Sequence, residues 1–338
     1  MSRIAILGAG SWGTALAIAL TRQQRHSVCL WAHEREVANT IQEQRRNIHF
    51  FPEFEIVPAV SATSELREAL SAAEIVLTVM PSHHVRSVAT SAAPFLHRQM
   101  AFVSATKGIE EQSHARMTEV LRSVIATQAG FDPAIGALSG PSFAKEVAMG
   151  EPTAITFAST DPELAARVQR EFSDAAFRVY SANDVIGVEL GGALKNIIAI
   201  AAGIVEGLGL GHNTAAALIT RGLAEMTRLA VACGAQRDTL AGLAGMGDLV
   251  LTCTGGLSRN RSVGVALGRG GSLPDIIAGM HGMVAEGVLT TNAALGLAAA
   301  HSIEMPITQQ VHLILHQGKA PRDAIRNLMT RPGKLETA

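Results

Sequence analysis

Apolar positions follow two different rhythms along the chain. Up to about residue 180 they come in short aliphatic runs, bounded by turn residues and separated by helical stretches. The runs are Arg3–Leu7, Ser27–Trp31, a segment near Glu55–Val60, Ala73–Val79, Met100–Ser104, Ala134–Ser139, Pro152–Phe157 and Ala176–Tyr180. Such runs predict strands buried on both faces, as in a parallel sheet. Helices are predicted from Thr14 to about Gln24, from Glu34 to about Arg46, and after Asp161-Pro162. This alternation predicts an α/β, Rossmann-like doubly wound sheet. After Asn183-Asp184 the pattern turns to long helical segments without clear strands, so the expected domains are 1–183, dinucleotide-binding, and 184–338, all-helical.

One stretch in the second regime sets a problem. From Gly187 to Leu208 nearly every residue is Ala, Ile, Leu, Val or Gly, and no polar face recurs at helical spacing. That predicts a helix buried on all sides. Lys195 and Asn196 interrupt it, and a buried ammonium must find a partner, reach a wet cleft or lose its proton. A lysine with a lowered pKa serves acid–base chemistry. Gly191, Gly192, the Lys195-Asn196 pair and Glu206 argue against a bilayer span.

Composition narrows the class. The 338 residues suffice for two domains, and 48% hydrophobic content with few aromatics suits aliphatic cores. A net charge of −1 offers no general attraction to nucleic acid or acidic membrane, so any anion must be held by a local constellation. Cys29, Cys233 and Cys253 are scattered and form no CxxC, which fits reduced thiols. With no leader-like N-terminus, the expected setting is cytoplasmic.

The first strand runs directly into Gly8-Ala-Gly10-Ser11-Trp12-Gly13 and then a helix, the context in which GxGxxG binds a dinucleotide. Gly8 suits a tight turn, Gly10 close approach to a pyrophosphate, and Gly13 tight helix–strand packing. After the second strand, where an acidic residue would hold the ribose of NAD, stand Ala32, His33, Glu34 and Arg35. His33 and Arg35 can accept a 2′-phosphate while Glu34 or Glu36 can face a ribose, so NAD and NADP are both candidates. Later strands end in loops that place Ser82, His83, Lys107, Gly140 and Ser142 at the crevice.

In the helical half, Asp248 is expected to hold the Lys195 ammonium, and Ser258, Arg259 and Asn260 combine hydroxyl, guanidinium and amide in a phosphate clamp. Glu286 can reach the cofactor, although a lone glutamate is more often solvated. His312 and His316 are four apart, but without a third ligand they read as surface histidines and no metal site is expected.

Taken together, these motifs closely resemble NAD(P)-dependent glycerol-3-phosphate dehydrogenases of the bacterial type, over essentially the whole chain. They include GAGSWGTALA at Gly8, NIHFFP at Asn47, ATKGIE at Ala105, SGPSFAKE at Ser139, GGALKNIIAIAAG at Gly191, GLAGMGDLVLTCTGGLSRNR at Gly242 and VAEGV at Val284. The resemblance implies reduction of dihydroxyacetone phosphate to sn-glycerol 3-phosphate for glycerophospholipid synthesis, with Lys195 handling the carbonyl proton. It implies substrate contacts at Lys107, Gly140, Ser142, Asp248, Ser258, Arg259 and Asn260, with Asn196 and Thr252 as further polar contacts. It implies cofactor contacts at Ser11, Trp12, His33, Lys107, Ala144, Arg259, Val284 and Glu286. Gly8, Gly10, Gly13, Arg35 and Phe50 complete the cofactor-side set. Phe50-Phe51-Pro52 departs from the family's usual tyrosine-leucine-proline.

The expected partner is a small phosphate ester, with no nucleic acid or membrane insertion, and a homodimer is the expected assembly. Two other readings compete. One is a different two-domain hydroxy acid dehydrogenase; the other is a non-catalytic dinucleotide sensor, for which Lys195 would be dispensable.

Overall fold

The protein is described from a computed structural model covering residues 2–280, 282–333 and 335–336, so Met1 and Ala338, the outer ends of the two expected domains, lie outside it. The first half alternates strand and helix: β1 (Ser2–Leu7), α1 (Ser11–Thr21), β2 (His26–Trp31), α2 (Arg35–Gln44), β3 (Val60–Thr63), α3 (Leu66–Leu70), β4 (Ile75–Thr78), α4 (Val85–Ala92), β5 (Ala101–Ser104), α5 (Met117–Val124), β6 (Ala134–Ser139), α6 (Ala144–Met149), β7 (Thr153–Ala158), α7 (Pro162–Phe172) and β8 (Phe177–Ala182).

These strands form one sheet in the order β3-β2-β1-β4-β5-β6-β7-β8. Every neighbouring pair is parallel except β6 with β7. Parallel strands need crossovers, and the helices that supply them cover both faces. Leu16, Leu20, Val147, Leu164 and Val168 pack on one face, and Leu70, Val85, Val120 and Leu121 on the other. That is why the strands read as continuous apolar runs. The order of strand addition reverses at β1, with β2 on one side and β4 on the other, which opens a crevice at their carboxyl ends.

One strand sits later than its apolar pattern predicts. Residues 55–59 are irregular and β3 begins at Val60. Pro58 has no N–H to give a ladder, and the Arg45 side chain takes the carbonyls of Ile56 and Val60, each at 2.9 Å. Arg45 itself adopts φ 55°, which ends α2 at Gln44.

The second half holds α8 (Val185–Gly207), α9 (His212–Ala232), α10 (Arg237–Ala241), α11 (Asp248–Thr254), α12 (Arg259–Gly268), α13 (Leu273–Ala278), α14 (Glu286–Ala300), α15 (Pro306–Gln317) and α16 (Pro321–Met329). Its hub is α8, a 23-residue helix buried continuously from Gly187 to Val205. By length and composition α8 could cross a bilayer, but 89% of its apolar window is buried inside the protein, against neighbouring helices and the sheet. The closest of these is α12. A Cβ on Gly203 would stand 2.0 Å from the Arg261 carbonyl oxygen, and one on Gly264 2.0 Å from that of Ile200, so the two backbones touch and only glycine fits the seam.

Polar groups in this core are matched across elements. Glu225 on α9 is fully buried, and its carboxylate accepts from the amides of Ile307 and Thr308 and from the Thr308 hydroxyl at 2.8–2.9 Å. It thereby caps α15, which has no side-chain cap of its own. Burial pushes the Glu225 carboxyl above its ordinary pKa, and the three donors counter that. Replacing Glu225 with alanine strands these donors and is expected to cost about 3 kcal/mol, against about 1 kcal/mol for the glutamine variant, which keeps an acceptor. Urea denaturation of the two variants measures the difference; equal stability of Glu225→Ala and the parent would refute the capping role.

Candidate active site

The glycine loop behaves as its spacing predicts. Gly8 has φ 125°, and a Cβ there would lie 2.6 Å from the Val79 carbonyl oxygen. A Cβ on Gly13 would lie 1.9 Å from the Gly8 oxygen, which holds α1 tightly over β1. At Gly10, the N-cap of α1, no atom approaches within 4 Å of an added Cβ, and no side chain caps the helix. The first-turn amides therefore face open space at a helix start, the arrangement that receives a phosphate. Beside them the buried Trp12 Nε1 has no hydrogen-bond partner. A dinucleotide fits this cradle.

Two of the flanking residues are organised by one that was not singled out from the sequence. Asn47 is fully buried; its Nδ2 donates to the Ala9 oxygen at 2.7 Å and to Thr14 Oγ1 at 2.9 Å, and its Oδ1 accepts from the Phe50 amide at 3.1 Å. Ser11 Oγ donates to the Phe50 oxygen at 2.7 Å. Asn47 thus fastens the aromatic loop to the glycine turn. His33 and Arg35 are both exposed at the end of β2 and the start of α2, with the His33 ring edge-on to Trp31 at 6.0 Å.

Across the crevice stands a buried charged cluster. Lys195, buried on α8, donates to Asp248 Oδ1 and, at 2.7 Å, to Thr252 Oγ1. Asp248 and Thr252 sit one turn apart on α11, and Thr252 Oγ1 donates back to the Asp248 backbone oxygen at 2.6 Å. The expected pairing of Lys195 with Asp248 is present. The sequence reading did not foresee the second cation: Lys107 Nζ donates to Asp248 Oδ2 at 2.7 Å and to the Gly140 oxygen at 3.0 Å. Ser142 Oγ donates to the same oxygen at 2.9 Å. One carboxylate therefore bridges two ammonium groups from opposite sides of the crevice. Lys195 does not itself open onto solvent, with 7% of its side chain exposed; Lys107 is the more accessible, at 17%.

Burial pushes the Lys195 ammonium down to about 8; the Asp248 carboxylate opposes that fall and repulsion from Lys107 adds to it. Cys253, buried nearby, is pushed up to about 12 by the same desolvation and stays a neutral thiol.

The remaining polar residues form a second line. Asn196 Oδ1 accepts from Asn260 Nδ2 at 2.9 Å, and Asn260 Oδ1 accepts from the Gly287 amide at 2.9 Å. Ser258 caps α12 through the Arg261 amide, which leaves Arg259 exposed on its first turn. Glu286 opens α14 and is engaged rather than solvated: its carboxylate accepts from the Ser82 amide at 2.9 Å and the Ser82 hydroxyl at 2.6 Å. Ser82, placed at the crevice by its position after β4, is thus the tie between the sheet and α14. Burial raises the Glu286 carboxyl and the Ser82 bonds counter it. Ala144 opens α6, and Val284 lies half-buried two residues ahead of α14. His312 is occupied elsewhere, its Nδ1 lying 2.9 Å from Asn292 Oδ1.

Comparison with known proteins gives a consistent result. Residues 3–165 match the family model for the N-terminus of NAD-dependent glycerol-3-phosphate dehydrogenase, and residues 184–326 match the model for its C-terminus. The chain is 65% identical to a glycerol-3-phosphate dehydrogenase (NAD(P)+) of Koribacter versatilis, with 99% of each chain covered. It is 56% identical to one of Acidobacterium capsulatum, covering 99% of this chain and all of that one. Among solved structures, glycerol-3-phosphate dehydrogenase from Coxiella burnetii superimposes with a TM-score of 0.92 at 42% identity, covering 98% of this chain and 99% of that one.

The role of Asn47 is open to a direct check. Replacing Asn47 with alanine removes one bond to the glycine turn and one to Thr14 of α1 and frees the aromatic loop, and is expected to weaken NADH binding by about tenfold while the protein stays folded. Titration of nicotinamide fluorescence measures this, and an unchanged Kd would show that the turn holds its shape alone.

Proposed function

The chain belongs to the NAD-dependent glycerol-3-phosphate dehydrogenase family, and from that membership we propose how its own residues carry the reaction. The protein is an oxidoreductase that interconverts dihydroxyacetone phosphate and sn-glycerol 3-phosphate with NAD or NADP, supplying glycerol 3-phosphate for glycerophospholipid synthesis. When bound, the nicotinamide supplies or accepts the hydride.

In the arrangement we propose, Lys195 is the proton donor to the carbonyl oxygen in reduction and takes the hydroxyl proton in the reverse direction. Asp248 and Thr252 orient its Nζ, while Lys107 adds positive charge where the oxygen becomes anionic. Ser258, Arg259, Asn260 and Asn196 line the substrate side with Gly140 and Ser142, and the exposed Arg259 is the group free to meet a phosphate in bidentate fashion. Gly8, Gly10, Ser11, Trp12 and Gly13 would hold the cofactor, and Phe50, His33 and Arg35 would serve its ribose side. Ala144, Val284 and Glu286 complete that wall together with Lys107 and Arg259. The observation that carries this reading is the Lys195–Asp248–Lys107 bridge, a desolvated charge cluster at the mouth of a dinucleotide crevice.

We also propose 1–183 and 184–338 as the two functional domains, a cytoplasmic setting, and action as a homodimer that neither inserts into a membrane nor binds nucleic acid. Support comes from three free cysteines, the near-zero net charge and the burial of α8.

An assay of dihydroxyacetone phosphate with NADH and with NADPH tests the activity, and no substrate-dependent oxidation of either would overturn it. Lys195→Ala is expected to lower kcat by about 10³-fold with cofactor affinity nearly unchanged. Near-normal turnover of that variant would remove Lys195 from the mechanism.

The pH profile has a definite sign. Reduction needs the lysine protonated, so its rate is expected to fall as pH rises through about 8, while oxidation rises over the same interval. Because Asp248 favours the charged ammonium, Asp248→Asn is expected to move both limbs to lower pH, whatever it does to their height. Limbs that stay in place would show that Asp248 does not set the lysine's charge.

A further inference from the structure

Helix α14 carries Glu286 at its first position but has no cap of its own: its N-cap residue is Ala285, which offers no side-chain acceptor. A helix start buried without a cap leaves donors unsatisfied. Here the acceptor comes from another element. Asn260, on the first turn of α12, accepts from the Gly287 amide through Oδ1 at 2.9 Å and is itself buried. Its other end donates to Asn196 Oδ1 at 2.9 Å, on the residue next to Lys195. Both ends of the Asn260 amide are therefore committed within the protein.

The packing makes the contact a tight one. A Cβ on Gly287 would lie 2.7 Å from the Asn196 backbone oxygen, so the start of α14 rests directly on α8. The neighbouring Glu286 reaches into the sheet domain to hold Ser82 by amide and hydroxyl. A continuous path runs from the catalytic helix through Asn196, Asn260 and the first turn of α14 to Glu286 and the crevice.

We propose that Asn260 is a positioning residue for the cofactor side of the crevice: by capping α14 in trans and tying it to Asn196, it sets where Glu286 stands. This rests on the reading that Glu286 belongs to the cofactor wall. It gives Asn260 an effect on cofactor affinity before any substrate is present, which a residue that only touches the substrate would not have. Because Arg259 precedes Asn260 on the same helix turn, substrate held there and cofactor held near Glu286 act on one rigid unit.

The test is the Kd of the substrate-free protein for NADH and NADPH, read by nicotinamide fluorescence. Asn260→Ala is expected to bind about fivefold more weakly. Asn260→Asp, which keeps the acceptor for Gly287 and loses the donor to Asn196, is expected to fall between that and the parent. The double variant Asn260→Ala with Glu286→Gln is expected to bind no more weakly than Glu286→Gln alone, since the first change acts through the second residue. If Asn260→Ala does not fold, Gly287→Ala, which pushes α14 off α8, is measured in its place with the same expectation. Unchanged Kd in the single variants, with only the KM for dihydroxyacetone phosphate raised, would overturn the proposal, as would losses that add fully in the double variant. A parent protein that binds neither dinucleotide would overturn the reading of the crevice itself.

Discussion

The Asp248 carboxylate between two ammonium groups is the constraint on which the site depends. A lysine in the middle of a fully buried helix carries a large desolvation cost, and an unpaired charge there would drive α8 apart or drop its proton altogether. Asp248 offsets that cost from α11 while Lys107 adds a like charge from the sheet domain. The balance leaves Lys195 near 8, between a permanently charged and a permanently neutral lysine. A lysine near 8 is within reach of both protonation states around neutral pH, as the proton exchange proposed for Lys195 needs. Because Lys107 and Asp248 come from opposite sides of the crevice, the charge of Lys195 is tied to how the sheet and the helices are packed.

The same device recurs away from the chemistry. Glu225 on α9 caps α15. Glu189 on α8, buried, accepts from the Thr118 amide and hydroxyl and from Arg116 at the start of α5, joining α8 to the sheet domain. Asn260 on α12 caps α14. In each case a buried side chain fills the unsatisfied amides of a helix start belonging to a distant segment. One set of bonds both satisfies the buried backbone and fixes the angle between elements, a stronger constraint than apolar packing alone supplies.

This division explains what could be read from the chain. The glycine turn was legible because its geometry is local: Gly8 and Gly13 are required by atoms a few residues away or on an adjacent strand. Lys195 was legible because a lone charge in an apolar helix is a violation that composition exposes, and Asp248 stood out as a carboxylate in the glycine-rich segment 242–248. Lys107 as the second cation was not, since 141 residues separate it from Asp248 and nothing in ATKGIE states which way its Nζ turns. Asn47 was passed over because a buried asparagine in a loop leaves no periodic trace. The late start of β3 had a local signal, Pro58, outweighed by the run of Ile and Val around it. Capping rules apply within a segment, so helices capped from elsewhere carry no mark in their own sequence.

The burial of α8 ties these observations together. A pKa lowered by desolvation is only as steady as the packing that excludes water, and a helix free to slide would expose Lys195 and return it toward its ordinary range. The contact of Gly203 with the Arg261 carbonyl, and of Gly264 with that of Ile200, leaves no room for such sliding. Arg261 lies two residues after Arg259 and pairs across the seam with Glu206 at the end of α8. The α8–α12 seam is therefore continuous with the turn that bears Arg259 and Asn260. The close approach of α8 and α12 fixes where that polar turn stands against α8. That approach is available only because both helices present glycine where they cross.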